Sequence, residues 1–403
     1  MTTYCVHGWV APGFEEVKEE FKRNLLERRE RGAACAVYVR GVQVVDLWGG
    51  LRDSDRGMPW EQHTMVPVFS STKGFAALAA VLAHSRGLLD FEQYVGTYWP
   101  EFAQNGKDQI TVRQLLSHQA GLCTLDTLRL ENISDLHTSE VIHKLAGVRT
   151  EWLPGTKHGY HAWTIGWFIG ELIRRVDPKG RSLGRFFQEE IAEPLQAEFY
   201  IGLPDSVPDT RLARIKGIES PLQLLKHIHE IPIPMLFGFL NPRSLTARSL
   251  VDPKRLVANG NFNLREMLAI EFPSGNGIGE VRAMANIYGE FASGGQRLGI
   301  HPKSLQAIEA SATQPTSGWY DHVNRTNLAY SLGFWKPLAG HEFGSSERAY
   351  GHPGAGGSFC FADPDYKLGY AYGLNHVGGH MDNNPRENAV RQALYRCMKQ
   401  RGV

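Results

Sequence analysis

The chain has 403 residues, 43 basic and 42 acidic side chains, and a formal net charge of +1. Its 42% hydrophobic and 21% charged residues are ordinary for a globular protein, so a disordered or fibrous chain is excluded. The balanced charge disfavours nucleic acid and anionic membrane surfaces as partners, and small molecules are expected instead.

Both ends of the chain are predicted to carry strands. Residues 13 to 31 have the apolar spacing of an amphipathic helix, and two β-type runs, 34 to 39 and 42 to 48, follow as a hairpin. Near the other end, the β-type runs are 328 to 335, 348 to 352, 358 to 362 and 367 to 374. A last helix is expected from Pro385 to about residue 400. Strands from the two ends most simply join into one sheet.

The middle of the chain is predicted to be helical. The predicted helices are 72 to 87, 111 to 118, 138 to 146, 162 to 175, 182 to 192 and 280 to 292. Residues 203 to 275 are rich in proline and irregular, which favours a functional wall or lid. We therefore predict an α+β fold, with a mainly antiparallel sheet flanked by helices from residues 1 to 68 and 296 to 403. An inserted all-helical domain covers residues 69 to 295.

Ser70 and Lys73 stand three residues apart at the start of a long apolar segment. In a helix these positions share a face, so the hydroxyl and the amine would lie side by side. The next charged residue is Arg86, which predicts that Lys73 enters the interior. Burial would lower the pKa of the lysine and let it act as the base for the serine. The alternative is an N-capping serine followed by a solvent-exposed lysine.

Two later segments add candidate groups. Tyr160 follows a glycine-rich turn before a predicted helix and is a second candidate base, the alternative being an ordinary half-buried tyrosine. Residues 351 to 359 are dense in glycine yet enter a β-type run, which allows a ligand to approach the backbone closely. The N–H of Ala355 could form an oxyanion hole with that of Ser70, and His352 could donate to a substrate carbonyl or hold Tyr160. A glycine-rich hairpin with a surface histidine is the alternative.

These three segments, in this order, resemble the serine β-lactamase and penicillin-binding protein superfamily. The closest likeness is to the class C-like branch that includes the family VIII carboxylesterases. Residues 110 to 122, 272 to 277 and 351 to 364 also look like landmarks of that branch. The resemblance spans nearly the whole chain and implies a class C β-lactamase-like fold, with the active site between sheet and helical domain.

The resemblance also implies roles for single residues. Ser70 would be the acylated nucleophile, Lys73 the general base, and Tyr160 the second base and later the acid. No metal and no cofactor is implied. The substrate pocket is predicted to include Trp163, Phe237 and Trp319.

Two departures from the lactamase pattern favour an esterase. His352 and Gly354 bracket a motif that stands where lactamases carry Lys-Thr-Gly, and the tyrosine motif ends in Ala162 where class C lactamases carry asparagine. We predict a serine hydrolase, a carboxylesterase acting on short-chain acyl esters. A weak β-lactamase, a D-amino-acid peptidase or amidase, an acyltransferase, and a catalytically silent sensor or scaffold remain alternatives. The sequence does not specify the oligomeric state.

Other chemistries find little support in the sequence. The nucleophile elbow of α/β-hydrolases, Gly-x-Ser-x-Gly, does not occur, and residues 227 to 230 lack the His-Glu-x-x-His spacing of a zinc site. Five cysteines, with no C-x-x-C pair, indicate neither a disulfide framework nor a zinc site. A basic leader and a long apolar stretch are both missing, so a cytoplasmic protein is expected.

Overall fold

The computed structural model describes residues 5–128, 130–137, 139–217, 227–251, 256, 259–380 and 382–401. The strands in these residues are β1 (Val6–Val10), β2 (Gly32–Val39), β3 (Val42–Asp53), β4 (Met58–Pro59), β5 (Val66–Pro67), β6 (Phe199–Tyr200), β7 (Ile278–Gly279), β8 (Tyr320–Asp321), β9 (Thr326–Asn327), β10 (Ala329–Ser331), β11 (Phe334–Lys336), β12 (Tyr350–Pro353), β13 (Phe359–Asp363) and β14 (Leu368–Leu374). The α-helices are α1 (Glu15–Leu26), α2 (Thr72–Ser85), α3 (Val95–Tyr98), α4 (Val112–Leu116), α5 (Ser139–Gly147), α6 (Thr164–Val176), α7 (Leu183–Phe187), α8 (Ile233–Leu240), α9 (Leu245–Leu250), α10 (Arg265–Ala269), α11 (Val281–Ala292), α12 (Pro302–Glu309) and α13 (Pro385–Gln400).

In the described part of the chain, nine strands form one antiparallel sheet. Their order is β1-β3-β2-β14-β13-β12-β11-β10, with β4 beside β3. The two ends of the chain meet where β2 lies against β14, with Cys35 opposite Tyr372. The predicted sheet built from both ends is therefore confirmed.

Helices cover both faces of this sheet. Successive residues of a strand point to opposite faces, so Gly369 and Tyr372 of β14 face opposite sides. A Cβ at Gly369 would lie 2.1 Å from the Gly289 nitrogen, which shows how closely α11 approaches one face. The Tyr372 ring packs against Phe21 of α1 on the other face, with ring centroids 6.2 Å apart, and α13 packs beside α1.

Helix α2 is the central helix of the molecule. Its residues from Thr72 to Ala83 are all buried, and it packs against α6, α7 and α12. The uncharged run after Lys73 predicted this burial, and the prediction is confirmed. Because α2 is enclosed on several sides, the residues at its N-terminal end have fixed positions.

The predicted single strand over 328 to 335 is wrong. The chain turns at Leu332 and Gly333, with φ of +51° and +89°, and forms the two strands β10 and β11. Two left-handed residues in succession are typical of a tight hairpin turn. A Cβ at Gly333 would also lie 2.7 Å from that of Ala77, so the turn packs closely against α2.

The segment 203 to 275 is more regular than predicted, because it contains α8, α9 and α10. Its prolines delimit a helix instead of preventing it. Pro232 is the N-cap of α8 and Pro234 lies in the first turn, where no intrahelical N–H bond is lost. The predicted division into domains at residues 68 and 295 stays a prediction. Within the described residues, no helix combines the length and apolarity needed to cross a bilayer.

Candidate active site

Ser70 lies in a 3-10 turn, Phe69–Ser71, that runs directly into α2. Phe69 has a φ of +47°, a left-handed conformation that is rare for a residue other than glycine. Its buried ring packs against Phe262 with ring centroids 4.6 Å apart, and this contact stabilises the strained backbone. The turn leaves the Ser70 side chain partly exposed to a cavity.

Lys73 lies one helical turn beyond the serine. Its Nζ is 3.0 Å from Ser70 Oγ and donates to the carbonyl oxygen of Ser274 at 2.6 Å. The side chain is 1% exposed, and no carboxylate in the described residues pairs with it. Burial therefore holds the pKa of Lys73 well below 10.5. A lowered pKa increases the fraction of neutral amine, and the neutral amine can accept the serine proton.

The Ser274 carbonyl, which accepts the hydrogen bond from Lys73, is itself held in place. The Ser274 hydroxyl donates to the Trp163 carbonyl and accepts the Gly166 N–H at 2.8 Å. These bonds fasten the backbone of Ser274 to the start of α6. Trp163 thus belongs to the support of the site, and its ring is buried against Phe272 with centroids 5.6 Å apart.

Tyr160 completes the predicted catalytic group. Tyr160 and Ser70 line the same cavity, and Lys73 Nζ lies 5.1 Å from the centroid of the Tyr160 ring. Burial raises the pKa of Tyr160 above 10, although the neighbouring Ser70 hydroxyl opposes this rise. The phenol is therefore neutral in the resting site. The structure brings together all three residues that the sequence singled out.

Asp321 is a buried carboxylate that stabilises the segment carrying Tyr160. Sequence reasoning did not identify it. This carboxylate accepts the backbone N–H groups of Val323 and Asn324 at 2.8 and 2.6 Å and the Tyr330 hydroxyl at 2.9 Å. It is fully buried, and burial raises its pKa to about 6. The backbone of Tyr160 opposes this rise in pKa, so Asp321 lies close to that residue. No local periodicity in the sequence marks an isolated aspartate that contacts a residue so distant along the chain.

Two buried histidines fix the loop that carries Tyr160. His161 donates from Nδ1 to the Gly159 carbonyl at 2.8 Å and accepts the Leu122 N–H on Nε2 at 3.1 Å. His118 accepts the His161 N–H on Nδ1 at 3.1 Å. Burial lowers the pKa of both imidazoles, so both stay neutral and act as fixed hydrogen-bond partners.

The glycine-dense segment 351 to 359 packs closely against the Ser70 turn at Gly354. A Cβ at Gly354 would lie 2.3 Å from the Val68 carbonyl oxygen and 2.2 Å from Ser358 Oγ, so only glycine allows this approach. Ala355 follows at the start of a short turn. Among the residues described, neither the Ser70 N–H nor the Ala355 N–H has a hydrogen-bond acceptor. Two free N–H groups lining one cavity are what an oxyanion hole requires.

His352 lies on β12 beside the catalytic group. Its ring centroid is 5.9 Å from that of Tyr160, and its Nδ1 donates to the Pro353 carbonyl at 2.6 Å. Nε2 is buried without a partner in the described part of the chain. Burial holds the pKa of His352 well below 6.5. The free Nε2 of a neutral ring is an acceptor.

These groups surround a cavity of about 80 Å³. Its described lining residues are Ser70, Tyr160, Pro232, Met235, Asn324, Thr326, Leu328, Trp335, His341, His352, Pro353, Ala355 and Asp382. The predicted wall 203 to 275 contributes Pro232 and Met235. Loop residues supply much of the remainder, and their aromatic, amide and imidazole side chains carry no sequence signal of a pocket.

The three residues predicted to bind substrate do not line this cavity. Phe237 is 63% exposed on the outer side of α8. Trp319 is half-buried, and its carbonyl accepts from Nε2 of His158 at 2.8 Å. The Trp163 carbonyl accepts the hydrogen bond from the Ser274 hydroxyl, so Trp163 holds Ser274 in place. These residues were chosen for their aromatic rings, which fill cores as often as pockets.

A larger cavity, of about 610 Å³, lies between α5 and α6 and contains none of the predicted catalytic residues. Its arginines already have partners, since Arg174 and Arg175 both donate to Glu171. Size alone therefore does not identify the active site.

One group of side chains in the described residues has the composition of a metal site. Ligand atoms of His63, Glu198 and Glu280 lie within 4.8 Å of one another. Arg211 donates to Glu198 at 2.7 Å and to Glu280 at 2.8 Å, so both carboxylates already have a cationic partner. None of the four residues lines the cavity beside Ser70.

Comparisons with known proteins show the family of this chain. A family model described as Beta-lactamase matches residues 16–395, so the chain belongs to the β-lactamase family. The esterase/beta-lactamase LipL of Mycobacterium tuberculosis is 34% identical over 376 residues, which are 92% of this chain and 82% of LipL. The crystal structure of a family VIII carboxylesterase superposes with a TM-score of 0.84 at 34% identity, covering 98% of this chain and 100% of the other. A penicillin-binding protein homologue from Caulobacter crescentus gives a TM-score of 0.84 at 32% identity, with the same coverage of both chains.

The predicted fold and superfamily are thus confirmed, and the chain is a hydrolase of the serine esterase class.

Proposed function

We propose that this protein is a carboxylesterase that hydrolyses short-chain acyl esters through an acyl-enzyme on Ser70. The observation that carries the proposal is Lys73 Nζ, 3.0 Å from Ser70 Oγ, buried and without a carboxylate partner among the described residues. A buried lysine with a lowered pKa, next to a serine at the edge of a cavity, is the arrangement of a nucleophile and its base. The names of the relatives, esterase and carboxylesterase, support the same reaction class.

In the acylation step, Ser70 Oγ attacks the ester carbonyl carbon and forms a C–O bond. Neutral Lys73 accepts the hydroxyl proton, directly or through the phenol of Tyr160. The negative charge on the carbonyl oxygen is stabilised by the N–H groups of Ser70 and Ala355. When the alcohol oxygen leaves, Tyr160 donates a proton to it and recovers one from the Lys73 ammonium.

In the deacylation step, a water molecule attacks the acyl carbon of Ser70. Lys73, again neutral, receives a proton from water through Tyr160, and the same two N–H groups stabilise the second oxyanion. The C–O bond to Ser70 then breaks, the carboxylic acid leaves, and the proton returns to Oγ. Acid and alcohol are the only products.

The lining of the cavity favours neutral esters over β-lactams. Among its described residues there is no lysine or arginine to pair with the carboxylate of a β-lactam, and His352 is held neutral. Ala162 has no amide to hold a lactam side chain. The small volume of the cavity, about 80 Å³, favours short acyl chains. A weak β-lactamase or an amidase using the same three residues is the second candidate, because acyl-enzyme chemistry is common to all of them.

The test compares p-nitrophenyl butyrate with a chromogenic cephalosporin for wild type and Ser70→Ala. We expect fast ester turnover, little cephalosporin opening, and loss of both in Ser70→Ala. Intact-mass measurement during turnover should show the butyryl group on wild type and none on the variant.

Two other results would contradict the proposal. Faster cephalosporin opening than ester turnover would replace the esterase proposal with a lactamase. Full ester turnover by Ser70→Ala would remove Ser70 from the mechanism.

A further inference from the structure

A histidine–aspartate pair lines the catalytic cavity, and the mechanism above does not use it. His341 and Asp382 both border the cavity that contains Ser70, and Nδ1 of His341 donates to Oδ2 of Asp382. A carboxylate can only accept, so Nδ1 carries a proton, and in the neutral ring Nε2 then keeps its lone pair. In the part of the chain that the structure describes, Nε2 has no hydrogen-bond partner.

Trp335 and His352 connect this pair to Tyr160. The Trp335 ring centroid lies 6.0 Å from those of both His341 and His352, and His352 in turn lies 5.9 Å from Tyr160. Among the described residues, His341 makes no hydrogen bond to Ser70 and reaches the Tyr160 ring only through these two rings, so we do not assign it as a base. We place it beside a part of the ester that is remote from the carbonyl.

Asp382 places a carboxylate at this end of the cavity. It is the one acidic residue in the described lining, where no lysine or arginine is found. Arg391 borders an adjoining recess with His341 and Asp382. Its guanidinium donates to Glu387 at 2.9 Å, so its charge is already paired.

We propose that His341, oriented by Asp382, recognises a hydroxyl group on the part of the ester that lies away from Ser70. The hydroxyl would donate to Nε2, the free acceptor at that position. This inference rests on the proposed esterase function and narrows its substrates to hydroxy-substituted esters. A carboxylate at the same position would face Asp382 and be repelled, and an alkyl group would leave Nε2 unpaired.

The test uses two series of esters that differ at one terminal position. The acyl series consists of ethyl hexanoate, its ω-hydroxy derivative, and the monoethyl ester of the matching dicarboxylic acid. The alcohol series consists of hexyl acetate with the same terminal changes on the hexyl group. Acid release in a pH-stat gives kcat/KM for each ester. In one series we expect the hydroxy ester to exceed the alkyl ester by roughly three- to tenfold, the usual value of an uncharged hydrogen bond. The carboxylate ester should be the poorest.

Variants then locate the effect. In the series that shows the preference, His341→Leu should lower the ratio of hydroxy-ester to alkyl-ester kcat/KM to about the value found in the other series. His341→Gln, which keeps an acceptor, should retain part of the preference. Asp382→Asn should raise kcat/KM for the carboxylate ester relative to the alkyl ester. His63→Leu is the matched control, because His63 also contacts a carboxylate through Nδ1, at 2.8 Å from Glu280, outside the cavity.

Four outcomes would overturn the inference. A wild-type ratio near one in both series, or a ratio that survives in His341→Leu, would exclude recognition by His341 while ethyl hexanoate turnover still supported the esterase. A loss of the ratio in His63→Leu as well would assign the effect to general perturbation. Failure of wild type to hydrolyse any of these esters would overturn both this inference and the proposed function.

Discussion

The two walls of the catalytic cavity are built in different ways. The wall of Ser70, Tyr160 and Ala355 stands on buried supports, with Lys73 behind Ser70 and Asp321 behind Tyr160. The second wall is formed by Pro232 and Met235 of the α8 segment and by His341 with Asp382. Its elements are close to the surface, and α8 turns Ile233, Phe237 and Leu240 outward, each more than 60% exposed.

This difference indicates that the first wall carries out proton transfer and the second wall discriminates between substrates. Proton transfer requires groups fixed to within a fraction of an ångström, and buried hydrogen bonds supply that precision. Discrimination between substrates requires only the shape and polarity of a surface, which a short helix and a loop can provide. Changes to the first wall should therefore abolish turnover, and changes to the second should alter which ester is preferred.

The largest effect is expected for Lys73→Met. Removing the base should lower kcat/KM for p-nitrophenyl butyrate by roughly a thousandfold or more. The free energy of unfolding near pH 7 should rise, because burial lowers the pKa of Lys73. Below pH 10.5, the unfolded chain binds a proton that the folded chain has lost, and this difference opposes folding. Ester kinetics and denaturant unfolding measure the two effects.

Lys107→Met is the matched control for Lys73→Met. Lys107 is also fully buried and donates to a backbone carbonyl, that of Val148, at 2.6 Å, and its pKa is lowered to about 8 by burial. It lies outside the catalytic cavity, so its variant should keep full ester turnover. Equal loss of activity in the two variants would mean that any buried lysine is needed for folding, and that Lys73 has no special chemistry.

The next largest effect is expected for Tyr160→Phe. The ring contacts remain, and the hydroxyl that connects Ser70 to the leaving group is lost, so kcat should fall by roughly a hundredfold. Tyr330→Phe removes a hydroxyl that donates to Asp321 one layer further from Ser70. It should lower the free energy of unfolding by about 1–3 kcal/mol and leave kcat nearly unchanged. An equal loss of kcat in Tyr330→Phe and Tyr160→Phe would contradict the assignment of proton transfer to Tyr160 and of a purely structural role to Tyr330.

The sequence was informative for the first wall and poor for the second. Ser70 and Lys73 are neighbours on one helix turn, and the uncharged residues after Lys73 indicated its burial, so local spacing was sufficient. Tyr160 and Ala355 lie far away along the chain, and the order of motifs in the resembled superfamily related them to Ser70. The structure adds the distances and hydrogen bonds that bring these segments together.

The residues that sequence reasoning missed make contacts with no local pattern. His341 and Asp382 are 41 positions apart, and neither belongs to a periodic run. The turn at Leu332 was missed because its β-type neighbours continue the apolar run on both sides. Phe237 was chosen for its ring, but the helical period turns it outward and places Met235 on the cavity.

A smaller effect is expected for Gly354→Ala. The added methyl would meet the Val68 carbonyl, so β12 must move away from the Ser70 turn and take the Ala355 N–H with it. Displacement of an oxyanion donor should lower kcat by up to about a hundredfold, with KM less affected. Gly147→Ala is the control, since its Cβ would meet nothing within 4 Å at the end of α5. Loss of activity in both variants would show that the close approach at Gly354 is not what matters.

The smallest effect is expected on the second wall, where Met235 and Phe237 offer a direct comparison two positions apart. Met235 is 2% exposed and borders the cavity, so Met235→Ala should enlarge it and shift preference toward longer acyl chains by roughly fourfold per methylene accommodated. Phe237→Ala removes a ring that faces solvent and should leave the ratio of octanoate to butyrate turnover unchanged. The measurement is kcat/KM for p-nitrophenyl esters of increasing chain length. A shift in Phe237→Ala equal to that in Met235→Ala would show that the outer face of α8 contacts the acyl chain, and the second wall would then extend beyond the cavity.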